Sequence, residues 1–336
     1  MIRTYIIAEA GVNHNGNIDT AFEMIDAAAD CGCDCIKFQT FKTESLVTRS
    51  AKKAEYQTRN TGSSESQFEM LKKLELSFDD FKKLKERCEK KGVEFLSTPF
   101  DAESADMLGK IGIKRYKMSS GDITNKPLLE HIAKTGKPMI LSTGMCTMEE
   151  VDEAVGWIEK CGNRQLTLLH CTSNYPTPYE DVNMRSMLSM KEHFPYPVGY
   201  SDHTDGISIP VMAVAMGACL IEKHFTLDKS MPGPDHKASL DIPQLTEMVR
   251  AIRQVEAAFG DGVKRPAPGE FSTRDVARKS VVVRKDIKAG EVISRDDLET
   301  KRPGNGLPPK CIDEIAGRKA VRDLEADSLI LRDDFE

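Results

Sequence analysis

A chain of 336 residues is long enough for one large core or for two domains. Its 30% charged and 6% aromatic residues and its formal net charge of -6 are those of an ordinary soluble chain, with no basic excess to suit a nucleic-acid partner. No apolar run approaches the roughly 20 residues of a membrane span, and nine cysteines, odd in number and scattered, do not make a disulfide framework.

The N-terminus, "MIRTYIIAEAG", has too short an apolar stretch for a signal peptide and leads straight into a strand pattern, so a cytoplasmic protein with no membrane partner is expected. Strand-like apolar runs follow at 5–8, 35–38, 93–96, 115–118, 138–141, 166–169, 197–200 and around 220–221. Helical patterns fit between or after them, at 20–30, 78–91, 102–111, 148–160 and 242–259. "SFDDF" and "TMEEV" read as helix starts, a capping hydroxyl followed by acids. "KKGVEF", "KTGKPMI" and "KCGNRQL" read as stops, each with glycine after a basic last turn. "CGCDCI" lacks the C-x-x-C spacing of a zinc site, and Cys31, Cys33 and Cys35 are read as packing residues.

Alternation of strand and helix implies parallel pairing through right-handed crossovers. Eight such units over residues 1–262 predict a (β/α)8 barrel; a doubly wound open sheet is the rival, but no G-x-G-x-x-G follows the first strand. The connection between residues 40 and 77 is long and polar, and reads as an insertion on the functional face. Residues 263–275 read as a linker, and 276–336 as a small, mostly β module near the lower size limit for folding alone.

In such a barrel, functional groups gather where strands end. The predicted strands end on Glu9; on Lys37 and Gln39; on Ser97-Thr98-Pro99; on Lys117 with "SSGD"; on Ser142-Thr143-Gly144; on His170; on Ser201-Asp202-His203; and on Glu222-Lys223-His224. Strand alternation points Glu222 and His224 one way and Lys223 the other. His203 on the neighbouring strand makes a second imidazole, and two imidazoles with carboxylates nearby suit a divalent metal with open positions. Thr98, Ser120, Ser142 and Ser201 with Lys37 and Lys117 could cradle a phosphate and a carboxylate, although each hydroxyl taken singly could as well cap a helix.

"AEAGVNHNG", "IKFQTFK", "STPFD", "YKMSSGD", "LSTGM", "LHCTSNYPTPYEDVN", "GYSDHT", "EKHFTLDKSMPGPDH" and "KRPGNG" occur in that order. From Ile6 to the C-terminus the chain resembles the sialic acid synthase family, and its last module resembles the antifreeze-like (SAF) domain that ends those enzymes. The resemblance implies condensation of phosphoenolpyruvate with an open-chain N-acetylmannosamine-type sugar to an N-acetylneuraminate-type acid, with release of phosphate. It implies His203 and His224 as ligands of a divalent metal, manganese first and magnesium or cobalt as alternatives, and Glu9 as general base for a water there. Lys37, Thr98, Lys117, Ser120, Ser142 and Ser201 resemble the phosphoenolpyruvate-binding set. Gln39, Tyr175, Glu222 and Asp235 resemble groups lining the sugar and metal region. Arg302 resembles an arginine that reaches the N-acetyl group from the other subunit, which implies a domain-swapped homodimer. Two motifs depart from the family: Ser173, beside Asn174, stands where some members have asparagine, and "SSGD" replaces the frequent "GSGE". Legionaminic and, more distantly, pseudaminic acid synthases are alternatives within the family. Outside it stand a metal-dependent sugar-acid aldolase and a non-catalytic glycan-binding protein.

Overall fold

Every predicted strand is present in the structure, a computed structural model that describes residues 3–61 and 65–336. In chain order the first unit, Met1–Phe259, runs β1 (Tyr5–Gly11), α1 (Ile18–Asp30), β2 (Cys35–Thr40), then three short helices, α2 (Thr43–Leu46), α3 (Glu55–Thr61) and α4 (Gln67–Lys72). It continues α5 (Phe78–Lys91), β3 (Glu94–Pro99), α6 (Ala102–Lys110), β4 (Tyr116–Met118), α7 (Lys126–Ala133), β5 (Met139–Ser142) and α8 (Met148–Lys160). The last part is β6 (Leu166–Cys171), α9 (Arg185–His193), β7 (Val198–Asp202), α10 (Ser208–Ala215), β8 (Leu220–His224) and α11 (Ile242–Ala258).

The sheet order is β3-β2-β1-β8-β7-β6-β5-β4, with every ladder parallel. The first and last strands are therefore neighbours, which an open doubly wound sheet does not require, and β3 and β4 lie side by side to close the ring. This is the expected (β/α)8 barrel. Local chemistry sets the helix ends. Ser77 and Asp80 form a reciprocal capping box at the start of α5, as do Thr147 and Glu150 at α8. Gly92 ends α5 at φ 72, a left-handed turn that costs glycine nothing.

The barrel interior is filled from below. Ile7, Cys35, Leu96, Ile140, Leu169 and Leu220, one from each of six strands, pack together as an apolar plug. Because side chains alternate, the residue two positions further along each strand faces inward one layer higher. Those six residues are Glu9, Lys37, Thr98, Ser142, Cys171 and Glu222. The plug thus lifts a polar layer to the C-terminal mouth.

The second unit, Gly260–Glu336, holds α12 (Phe271–Ala277), β9 (Ser280–Val283), β10 (Leu298–Lys301) and α13 (Ile312–Ile315). Part of the stretch read as a linker is thus helical. β9 and β10 pair antiparallel, over a core that includes Val281, Val283, Ile293, Ile315 and Ile330. Among the described residues no helix is long and apolar enough to cross a membrane.

Candidate active site

Above the plug opens a chamber of about 480 Å³. All of the site residues expected in the barrel line it: Glu9, Lys37, Gln39, Thr98, Lys117, Ser120, Ser142, Ser173, Tyr175, Ser201, His203, Glu222, His224 and Asp235. Arg302 lies in the second unit, exposed after β10. Ser173 reaches the chamber, whereas Asn174 is exposed and its carbonyl accepts from Thr177 Oγ1 at 2.7 Å. Asp122 is structural: its carboxylate accepts from Ser119 Oγ at 2.6 Å and from Asn125 Nδ2 at 3.0 Å.

The floor is a lattice of two lysines and two carboxylates, all buried. Lys37 Nζ stands 2.8 Å from Glu9 Oε1 and donates to Thr98 Oγ1 at 3.1 Å. Lys117 Nζ donates to Ser142 Oγ at 2.7 Å. Glu222 lies between them, 3.5 Å from Lys117 and 3.8 Å from Lys37, and its Oε1 accepts from Ser201 Oγ at 3.0 Å. The two pairs are not equivalent. Burial lifts the Glu9 carboxyl above its ordinary range, Lys37 pulls the other way, and the Glu222 charge adds to the rise. Burial also works to lift Glu222, but Lys117 and Lys37 outweigh it and hold that carboxylate below its ordinary range. A carboxylate poised to take a proton beside one that stays ionised is the arrangement of a general base and an electrostatic partner.

Gly11, at φ 53, marks a bulge where the β1–β2 register shifts just after Glu9. An added Cβ there would come within 3.5 Å of the Gln39 amide, Glu9 Oε1 and the His224 ring. Glycine lets these three side chains converge. Gly144 plays the same part opposite, where a Cβ would fall 2.3 Å from Ser173 Oγ and 2.9 Å from Ser120 Oγ.

The two imidazoles are neighbours, with ring centroids 5.4 Å apart. His203 Nδ1 donates to the Thr172 carbonyl at 2.7 Å, which fixes the ring. Burial works against a charge there, but Cys171 and that carbonyl raise its basicity above that of an ordinary imidazole, so its Nε2 lone pair becomes available to a ligand only once the proton is lost. His224 Nδ1 is buried without a hydrogen-bond partner. Burial, with the positive potential of His203 and Lys37, pushes its basicity well down, so it stays neutral and able to donate a lone pair. Tyr175 covers the pair, its ring 4.1 Å from His203 and 5.8 Å from His224. Burial lifts the Asp235 carboxyl to about 6, against the pull of His203. Among the described residues no group of three or more His, Cys, Asp or Glu side chains is placed to hold a metal ion. The donor set on offer is the imidazole pair, with the orphaned Oε2 atoms of Glu9 and Glu222 among the other groups lining the chamber.

One strand end differs from expectation. His170 turns outward, its Nε2 at 2.7 Å from the Val182 carbonyl and its ring against Tyr200. Cys171 faces the chamber instead. Alternation from the plug residue Leu169 carries that parity. The long β2–α5 connection lies on the functional face as expected, but sequence reasoning did not name the residues with which it walls the chamber, including Leu46, Val47, Gln57 and Leu71.

A barrel with a buried lysine-and-hydroxyl cradle, a raised carboxyl and paired imidazoles at its C-terminal mouth is that of an enzyme handling an anionic small molecule. The chain belongs to the NeuB family, which it matches over residues 24–264, with an SAF domain over 278–336. It is 49% identical over 332 residues to the N,N'-diacetyllegionaminic acid synthase of Campylobacter jejuni, covering 98% of this chain and 99% of that protein. It is 48% identical over 336 residues to the enzyme of that name from Legionella pneumophila, covering 99% and 94%. The crystal structure of an N-acetylneuraminic acid (sialic acid) synthetase from Leptospira borgpetersenii, in complex with citrate, is similar at 36% identity. It superimposes with a TM-score of 0.71 over 81% of this chain and 90% of that one. The protein is an enzyme of the family's synthase type.

Proposed function

We propose that this enzyme condenses phosphoenolpyruvate with the open-chain form of an N-acetylated amino sugar, giving a nonulosonic acid and phosphate. The observation that supports this best is the floor: Lys37 with Thr98 and Lys117 with Ser142, buried and side by side with Glu9 and Glu222. Such a cradle suits a substrate carrying both phosphate and carboxylate. An aldolase cleaving an unphosphorylated sugar acid has no use for it.

In this reading the cradle holds enolpyruvate while its methylene carbon attacks the sugar aldehyde. A carbon–carbon bond forms, the aldehyde oxygen takes up a proton, and an oxocarbenium centre is left at the phosphate-bearing carbon. Water adds there, and Glu9 accepts its proton. The tetrahedral carbon then collapses to a ketone as its bond to the phosphate oxygen breaks and phosphate leaves.

A divalent cation, manganese first, fits the His203–His224 pair, because one lone pair is freed by the Thr172 carbonyl and the other ring has an unpaired nitrogen. Bound there it would polarise the aldehyde as a Lewis acid. The sugar is N-acetylmannosamine or a close analogue. The 49% identity to an N,N'-diacetyllegionaminic acid synthase favours a 2,4-diacetamido acceptor among these.

Two further parts of the proposal concern setting. A homodimer in which Arg302 serves the partner subunit's site is supported by the "KRPGNG" motif and by the exposed position of Arg302. A cytoplasmic location is supported by nine cysteines that are all free, as a reducing compartment keeps them. The deciding experiment is phosphate release from phosphoenolpyruvate and manganese with each candidate amino sugar. Activity with at least one is expected, and pyruvate formed from a sugar acid without phosphate release would replace this reading with the aldolase.

A further inference from the structure

The floor of the chamber is charged, but part of its wall is not. The β2–α5 connection sends Leu46, Val47 and Leu71 to that wall. Met70, Leu74 and Val12 line it too and are buried with Phe41 in an apolar cluster separate from the main core, against which Leu46 and Leu71 pack. Leu46, Val47 and Leu71 are only half-buried, whereas Lys37 and Lys117 below are 3% and 2% exposed. The wall therefore stands at the rim and presents apolar surface to whatever fills the chamber.

This wall is fixed in place. Glu75 Oε1 accepts from the Thr43 backbone at 2.6 Å, and Lys72 binds Glu75 at 3.0 Å, tying α2 to the end of α4. Asn60 Nδ2 donates to the Pro234 carbonyl at 2.7 Å, which joins α3 to the loop that carries Asp235. Two amides, Gln57 and Gln67, also face the chamber from the same segment.

We propose that this wall selects the sugar, favouring acceptors whose far end carries methyl and acetamido groups over those carrying hydroxyls there. The inference rests on the condensation reading above. With enolpyruvate on the floor and the aldehyde near the imidazoles, the rest of an open-chain sugar extends toward the rim, where this wall forms one side of the chamber. A hydroxyl pressed on Leu71 and Val47 gives up water and gains no partner. A methyl group buries apolar area there, and an acetamido group can pair with the amide of Gln57 or Gln67. The wall is thus a specificity element distinct from the groups that do chemistry.

The test compares kcat/KM for 2,4-diacetamido-2,4,6-trideoxymannose and for N-acetylmannosamine, by phosphate release, in wild type and in Val47→Asn, Leu71→Asn and the double variant. The wild type is expected to prefer the diacetamido sugar by about tenfold or more, the range one or two apolar contacts provide. The double variant is expected to lose about that factor in the ratio while KM for phosphoenolpyruvate stays unchanged. Leu71→Met, which keeps apolar area at little risk to folding, should retain the preference. A wild type that prefers N-acetylmannosamine, or variants that slow both sugars equally, would overturn the proposal. Absence of phosphate release from every sugar would instead bring down the condensation reading on which it stands.

Discussion

Strand β8 has two faces, and they treat buried charge in opposite ways. On the outer face Lys223 is fully buried and paired: it meets Asp202 at 2.5 Å and donates to the Thr204 carbonyl. Asp202 in turn accepts from Tyr200 Oη at 3.0 Å and from the backbone and side chain of Thr204 at 3.2 and 3.1 Å. On the inner face Glu222 and His224 each keep an atom without a hydrogen-bond partner. Of the five such buried atoms among the described residues, three belong to Glu9, Glu222 and His224. An unsatisfied buried polar atom destabilises the fold, so its concentration on one face marks groups kept ready for something that arrives later. The adjacent residues Glu222, Lys223 and His224 thus divide between chamber and scaffold.

Breaking the inner face should cost activity and spare the fold. His224→Ala is expected to abolish turnover and weaken manganese binding, measured by electron paramagnetic resonance of the free metal, while the thermal midpoint stays near that of wild type. Glu9→Gln keeps shape and is expected to lower kcat by about 10²–10⁴, the usual share of a general base. Wild-type kcat in Glu9→Gln would remove the base assignment.

Breaking the outer face should do the reverse. Lys223→Met leaves Asp202 charged and unpaired in the interior, at a cost of about 3–5 kcal/mol in denaturant unfolding. Lys223→Met combined with Asp202→Leu should recover part of that loss. If the double variant is no more stable than the single, the pair is not what Lys223 contributes.

A gentler probe lies beside the chamber, where His14 and His236 are buried. Burial, with the neighbouring His236, pushes His14 down from 6.5 to about 4. Burial does the same to His236, to about 4, against the pull of Asp228. The unfolded chain therefore binds more protons than the folded one between about pH 6.5 and 4. Stability is fully present above that window and falls as pH drops through it, by on the order of 3 kcal/mol per ring. His14→Gln, which can still accept from the Gly16 N–H that His14 Nδ1 now receives at 3.0 Å, should flatten the dependence of thermal midpoint on pH. An unchanged slope would show that these rings titrate normally.

Much of this was legible in the sequence, and the rest was hidden for definite reasons. All eight strands were found because each has an apolar core. Several run one to three residues past that core because the polar residues that end them are buried against one another rather than in water, as Lys37 is against Glu9. Helix α10, "SIPVMAVA", shows no polar face and no side-chain cap at Ile207, so periodicity could not reveal it. Cys171 was passed over for His170 because imidazole is the more conspicuous chemistry, although strand parity favoured the thiol. The rim wall was least legible of all. Its apolar residues sit on and beside two short helices, α2 and α4, and join only in three dimensions.

The plug of Ile7, Leu96, Ile140, Leu169 and their neighbours closes the chamber from below. Above a closed floor, traffic is last in, first out. In the proposed reaction, enolpyruvate would have to settle on the floor before the sugar closes over it, and the phosphate would leave only after the lengthened product had cleared the rim.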